Sequence, residues 1–320
     1  MAISRPVYYL IAAIAVCTLS DRALAQGIDT IDPNLAPDST SDLTLEDDFL
    51  TPDPDAQPLD DQELAEDVGD IQRLQRPTQT QTPSRLPVGQ ILLRSSTFTS
   101  SNVTGLELNP ASDVVFVNQA TFLATPQLGP STRLVATGSG GLTRFGEEGD
   151  GNTNSLSFSM GVQQRLTPRT YGQIGWVQDR LYNSQSGDRT LLDNSARLLL
   201  GRQDQLNPDL RLDTTYEFRA RFTNPDERSR LGNSLGARLR YDFAPDWQGA
   251  LGYQLALTHF TQIARFDNQH QIQATTTYTP TPNTFITGYA SYLFGGSSEG
   301  SVGLENLSFG LGFGINVPLF

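Results

Sequence analysis

The sequence predicts an all-β chain: an antiparallel up-and-down transmembrane β-barrel of about twelve strands behind a disordered N-terminal tail. Three observations carry that expectation. Apolar residues recur at every second position over runs longer than the roughly 5–6 residues of an ordinary strand, and long enough for the roughly 9–11 that a tilted strand needs to cross a bilayer. Short proline-centred turns alternate with longer loops rich in Gly, Ser, Asn and acids. The chain also opens with a segment patterned for export.

That segment comes first. Arg5 precedes the apolar run Val7 to Leu19, and Ala23-Leu24-Ala25 supplies a small-residue cleavage site, so residues 1–25 read as a signal peptide. The run is too short for the roughly 20 residues of a spanning helix. Cys17 is the single cysteine, and with Val16 rather than a small residue before it, ordinary cleavage is expected over lipidation. A disulfide scaffold and thiolate chemistry are thereby excluded from the exported chain.

Residues 26–86 form an acidic, Pro-rich segment. The net charge of −13 sits mostly there: residues 26–85 hold 15 acids and 3 arginines, while residues 86–320 hold 19 acids and 17 arginines. With so little apolar surface to offset chain entropy, this tail is expected to be disordered. One stretch differs. Leu64, Val68, Ile71 and Leu74 recur at helical spacing after Asp60-Asp61-Gln62-Glu63, where acids suit a helix N-terminus, giving a short helix at 60–75 that could dock a periplasmic protein.

From residue 87 to 320 the period is two. Leu210, Leu212, Tyr216, Phe218, Ala220 and Phe222 alternate with Arg211, Asp213, Thr215, Glu217, Arg219 and Arg221; Leu231 to Phe243 repeats the pattern against Arg230, Arg238, Arg240 and Asp242. Strands are expected to start near Val88, Ser112, Thr132, Asn154, Thr170, Thr190, Pro208, Arg230, Trp247, Asn268, Asn283 and Val302. Pro168, Pro208, Pro245 and Pro282 lie in the short turns, where proline presets the backbone. An even count puts both strand-bearing termini at the short-turn side. Aromatics gather at both strand ends: Tyr171, Phe243, Trp247, Tyr278 and Phe285 by the short turns, and Phe145, Tyr182, Phe222, Phe260 and Phe294 opposite, as interfacial girdles would.

With these features, and with a last strand running Phe309-Gly310-Leu311-Gly312-Phe313-Gly314-Ile315 to a C-terminal Phe320, the chain resembles the bacterial outer-membrane β-barrel class, porin-like, over about residues 88–320. The resemblance implies an outer-membrane location with the tail in the periplasm, and contact with membrane lipid. It further implies insertion by the barrel-assembly machinery, which would read Phe309, Leu311, Phe313 and Phe320.

An arginine on the lipid face at mid-bilayer costs roughly 2–4 kcal/mol, which decides the inner face. Arg197, Arg211, Arg219, Arg221, Arg238 and Arg240 should point inward with Asp193, Asp213, Glu217 and Asp242. Charge matching suggests registers that set Asp193 opposite Arg221, Arg197 opposite Glu217, Arg211 opposite Asp242 and Asp213 opposite Arg240. Such a wall suits anions in a water-filled pore, or equally braces a narrow closed barrel. Gln254, Gln269, Gln271, Gln273, Thr275 and Thr277 leave the rest of the inner face neutral.

Other chemistries have little footing. There is no lysine and no clustered basic footprint, so nucleic-acid binding is excluded. His259 and Thr261 faintly resemble the lipid-facing His/Ser site of outer-membrane phospholipases, with Asn268 as the sole candidate to orient them. Glu147, Glu148 and Asp150 lack the spacing of a calcium loop, and Asp267 with His270 is too few for a metal. Gly138/Gly140/Gly141 and Gly310/Gly312/Gly314 precede no helix and read as strand packing rather than phosphate loops. The expectation is therefore a passive pore for small hydrophilic solutes, not an enzyme and without cofactor, leaning to anions and gated by the acidic tail. The alternatives are a non-conducting structural or assembly barrel whose tail docks a partner and, remotely, a lipid hydrolase.

Overall fold

A computed structural model describes residues 88–107 and 110–319. The signal segment, the acidic tail with its expected helix, and Phe320 lie outside the described residues.

The described residues form twelve long strands and one short extra strand: β1 (Gly89–Ser100), β2 (Asp113–Ala124), β3 (Gln127–Gly129), β4 (Thr132–Phe145), β5 (Thr153–Thr167), β6 (Thr170–Asn183), β7 (Arg189–Asn207), β8 (Leu210–Asn224), β9 (Arg230–Ala244), β10 (Trp247–Phe260), β11 (Phe266–Thr281), β12 (Thr284–Ser297) and β13 (Asn306–Pro318). Each long strand pairs antiparallel with its neighbours, β1 pairs with β13, and β2 pairs with β4 past the short β3, so the sheet closes on itself. The outer-membrane-type barrel expected from the resemblance is the fold observed. Two-residue turns at Pro168-Arg169, Pro208-Asp209, Pro245-Asp246 and Pro282-Asn283 join strands at one end, and the loops at the other end are longer. Both Gly89 and Pro318 lie at the short-turn end.

Burial runs opposite to that of a protein folded in water. The apolar parity is the exposed one, as at Ile174 (67%), Met160 (62%) and Leu311 (61%), while Asp193, Ser195 and Ser308 are almost fully covered. Exposed apolar area costs roughly 25 cal/mol per Å² in water, so a belt of such residues around a closed sheet needs an apolar solvent. The barrel spans a membrane.

Aromatic residues mark its edges, with a correction. Phe243, Trp247 and Tyr278 face outward at the short-turn end, Trp247 stacking on Tyr278 at 4.8 Å. Phe222, Tyr292 and Phe294 do so at the other. Tyr171, Phe285, Phe145 and Phe260, expected in the same girdles, belong to the inner parity instead, with Phe145 and Phe285 under 10% exposed. Glycines on the neighbouring strand make this possible. Gly201 lies opposite Tyr171 and Gly314 opposite Phe285, and a Cβ at either would overlap the ring.

Gly310 and Gly312 separate close approach from open space on one strand. A Cβ at Gly310 would strike the Thr97 carbonyl and Phe98, whereas at Gly312 its nearest neighbour is 3.8 Å away. Gly310→Ala should therefore destabilise the barrel by about 1–3 kcal/mol. Gly312→Ala should not. The check is the temperature at which each loses its heat-modifiable gel mobility.

Candidate functional site

The interior is built by parity. On β7 and β8 the odd-numbered side chains point inward, which brings Asp193, Ser195, Arg197, Asp213, Glu217, Arg219 and Arg221 onto one wall. On β9 the even-numbered residues do so, adding Arg230, Arg238 and Arg240. Neutral hydrogen-bonding residues of β10 and β11, including Gln254, Gln271, Gln273 and Thr275, continue the inner face beside them.

Opposite charges meet at successive depths. Near the long loops, Arg265 contacts Asp267 at 2.6 Å, and Arg265 and Arg230 lie over the Phe260 ring at 4.5 and 5.9 Å. Below them Arg221 reaches Asp193 at 3.2 Å and Arg219 reaches Asp179 at 2.9 Å, its Nε also donating to Ser195 Oγ at 2.8 Å. Deeper still, Arg197 contacts Glu217 and Arg240 contacts Asp213, each at 2.7 Å. Burial in the loop above this column lowers the Arg228 guanidinium to about 10, against the opposing pull of Glu227. It remains cationic at neutral pH.

The expected registers were each two residues off, although three of the four expected ion pairs form. The structure sets Asp193 opposite Thr223 and Arg197 opposite Arg219, and it sets Arg211 opposite Arg240 and Asp213 opposite Arg238. A two-residue slip preserves the side-chain face. Diagonal neighbours lie roughly 7–8 Å apart between backbones, a span that a long arginine bridges, so Asp193–Arg221, Glu217–Arg197 and Asp213–Arg240 meet diagonally. The fourth pair, Arg211 and Asp242, stands at the same diagonal offset but at the wet rim, and it does not form. Asp242 is exposed at the short-turn rim and accepts from Gln248 at 2.8 Å, while Arg211 donates to Gln205 at 3.3 Å.

Sequence reasoning missed Asp179 and left Arg230, though on the polar parity, out of the charged patch; the two add one charge of each sign to this wall. Asp179 sits on β6, where glycine and apolar neighbours mask the alternation; the signal was its inward parity with Gln173. A cavity of about 160 Å³ opens at the short-turn half, lined by Glu217, Arg238, Arg240, Gln254, Gln271 and Gln273 among others. On the other strands small buried polar residues such as Thr121, Thr137, Ser139, Ser291 and Ser308 alternate with local apolar clusters. Leu92, Leu123 and Val135 cluster on β1, β2 and β4, and Val103 from the loop after β1 packs on Phe98, Val115 and Phe145 near the long-loop mouth.

The remaining sequence candidates are placed as follows. Phe309, Leu311 and Phe313 project outward from β13. His259 is exposed on the outer parity, Thr261 donates to the Ser229 carbonyl, and Asn268 accepts from Gly296 N–H; no hydrogen bond joins the three among the described residues. His270 faces outward, with Nδ1 2.8 Å from Tyr253 Oη and its ring stacked on Phe294. Among the described residues no cluster of three or more His, Cys, Asp or Glu could hold a metal.

No protein-family model matches the chain, and no curated protein does. Solved structures resemble it in fold. The KdgM porin in complex with oligogalacturonate is 13% identical, with 70% of this chain and 98% of that one covered and a TM-score of 0.39. An outer membrane channel from Pseudomonas putida F1 is 11% identical over 72% and 96%, with a TM-score of 0.49. The translocator domain of the autotransporter NalP from Neisseria meningitidis is 12% identical over 73% and 90%, with a TM-score of 0.39.

Removing one partner of a buried pair strands the other charge. Asp193 is 2% exposed, so Asp193→Ala should cost about 3 kcal/mol, measured as a lowered unfolding midpoint. Asp204→Ala, at the wet short-turn rim where Asp204 pairs with Arg202 and Arg169, should leave the midpoint in place.

Proposed function

We propose that the protein is an outer-membrane pore through which small hydrophilic solutes, anions in preference, diffuse passively. The observation that carries this reading is the inner face: a column of arginines and carboxylates running from the long-loop mouth to a polar cavity, flanked by glutamines and threonines that can hydrogen-bond a passing solute. Rings and stripes of arginine favour anions in a water-filled passage. Diffusion calls for no catalytic group or cofactor. Small hydrophilic solutes and membrane lipid are then its partners, with the barrel-assembly machinery during insertion.

The acidic tail is the natural gate in this reading. Residues 26–85 carry 15 acids and 3 arginines, complementary to the arginine wall, and the first strand starts at the short-turn end of the barrel. Screening over about 8 Å at physiological salt confines the attraction to close range. The tail would then lie in the periplasm and act as a removable plug.

A second reading has its own observation. Apolar clusters around Leu92 and Phe98 occupy part of the inner face of β1, β2 and β4, and Val103 from the loop after β1 packs into one of them. A non-conducting barrel, with a tail that docks a periplasmic partner, would be built this way too.

Planar-bilayer recordings of the purified protein decide between them. The pore should give stable single-channel steps with anion preference, Arg238→Gln should lower the anion-to-cation permeability ratio, and deletion of Gly27 to Arg76 should raise conductance. Well-folded barrels without conductance would overturn the pore, and unchanged conductance in the deletion would overturn the plug.

A further inference from the structure

The outer surface of the barrel is not uniformly apolar. Arg144 is the last residue but one of β4, and Arg180 lies three residues before the end of β6. Both belong to the outward parity: Arg144 shares its face with exposed Leu142 and pairs with exposed Phe116, and Arg180 shares its face with exposed Ile174 and Trp176. An arginine on the lipid side is tolerated only toward the interface, where the cost of the charge falls away. Both stand at the long-loop rim, the external one in barrels of this build.

Their hydrogen bonds are all to neutral oxygens. Arg144 donates through Nη1 to the carbonyls of Thr143 and Thr153 and through Nη2 to Asn154 Oδ1, each at 2.8 Å. Arg180 donates through Nη2 to Gln178 Oε1 at 2.7 Å, Gln178 in turn donates to Asn194 Oδ1 at 2.9 Å, and the Arg180 Nε has no hydrogen-bond partner. Neither guanidinium forms an ion pair among the described residues. The opposite rim is built differently, because Arg202 and Arg169 there are both neutralised by Asp204. Tyr182 stands beside Asn154 across the strand pair, and Trp176 stacks with Phe222 just below, so the two charges sit at the level where amphipathic rings gather.

We propose that the outward face of β4 to β7 at the long-loop rim binds the phosphate-bearing headgroup of a glycolipid in the outer leaflet, with Arg144 and Arg180 as its cationic contacts. Two unneutralised guanidiniums on the strands flanking β5, Arg180 four residues lower in register than Arg144 and the two braced by Asn154 and by the Gln178–Asn194 pair, present planar donors suited to the phosphate oxygens of an extended headgroup. The aromatic rings below would lie along the acyl chains. The reading rests on the barrel spanning a membrane and is independent of whether the interior conducts.

The test uses the full-length protein in nanodiscs of zwitterionic phospholipid, doped with phosphorylated lipid A or with its dephosphorylated form, with bound lipid counted by native mass spectrometry. Wild type should retain the phosphorylated form at least tenfold over the dephosphorylated one. The double variant Arg144→Gln/Arg180→Gln should lose that preference while Arg202→Gln keeps it, with heat-modifiable mobility confirming that each has folded. Equal retention of both lipids by wild type would overturn the proposal without any variant. Full displacement by an equal concentration of inorganic phosphate would also overturn it, since it would indicate a site for free anions. Single-channel conductance should be the same in the double variant, so failure here and failure of the pore remain distinguishable.

Discussion

Closure of the sheet between β1 and β13 is the constraint from which the remaining features follow. In hydrocarbon no water is available to satisfy a free N–H or C=O, so an open strand edge would carry a penalty of several kcal/mol per group. The eleven paired positions from Gln90 opposite Pro318 to Ser100 opposite Ser308 remove that edge. Once the ring is closed, every side chain has only two destinations, lipid or interior, and the period-two pattern of the sequence becomes a statement about solvent. The interior polar wall and the exposed apolar belt are two aspects of one choice of parity.

That is also why so much of the fold was legible from sequence. Strand starts at Thr132, Thr170 and Arg230 coincide with the observed ones, and the proline turns lie where expected. Register was not legible. Charge matching selected pairs that do form, yet it could not distinguish direct from diagonal contact, because an arginine side chain spans either. Part of the missing information at the first hairpin was the bulge near Leu206, where the ladder shifts by one residue between Gln205 and Asn207; the β8–β9 ladder is regular and its register follows from the longer loop that joins those strands. Aromatic placement failed for a different reason. Position along a strand does not reveal what stands opposite, and Gly201 and Gly314 are the signals that Tyr171 and Phe285 turn inward.

The interior is lopsided. Strands β6 to β9 supply most of the ion pairs, whereas β1, β2 and β4 supply buried Leu92, Leu123 and Val135. Burying charge is favourable only when the geometry and the extra hydrogen bonds offset desolvation, and the Arg219 site shows how that is met: Asp179 accepts from both Arg219 and Ser157, while Ser195 takes the guanidinium Nε. The absence of lysine fits this construction, because a planar fork can hold a carboxylate and a hydroxyl together.

Ion pairs crowded onto β6 to β9, with Arg94 and Arg133 facing them from β1 and β4, have a consequence across the barrel rather than along it. On the crowded side Arg197, Arg219, Arg221 and Arg240 are each tied to a carboxylate, so that side is an array of fixed dipoles rather than a sheet of one sign. A polar molecule passing such an array meets donors and acceptors at set spacings, and its shape of hydrogen bonding counts beside its size and charge.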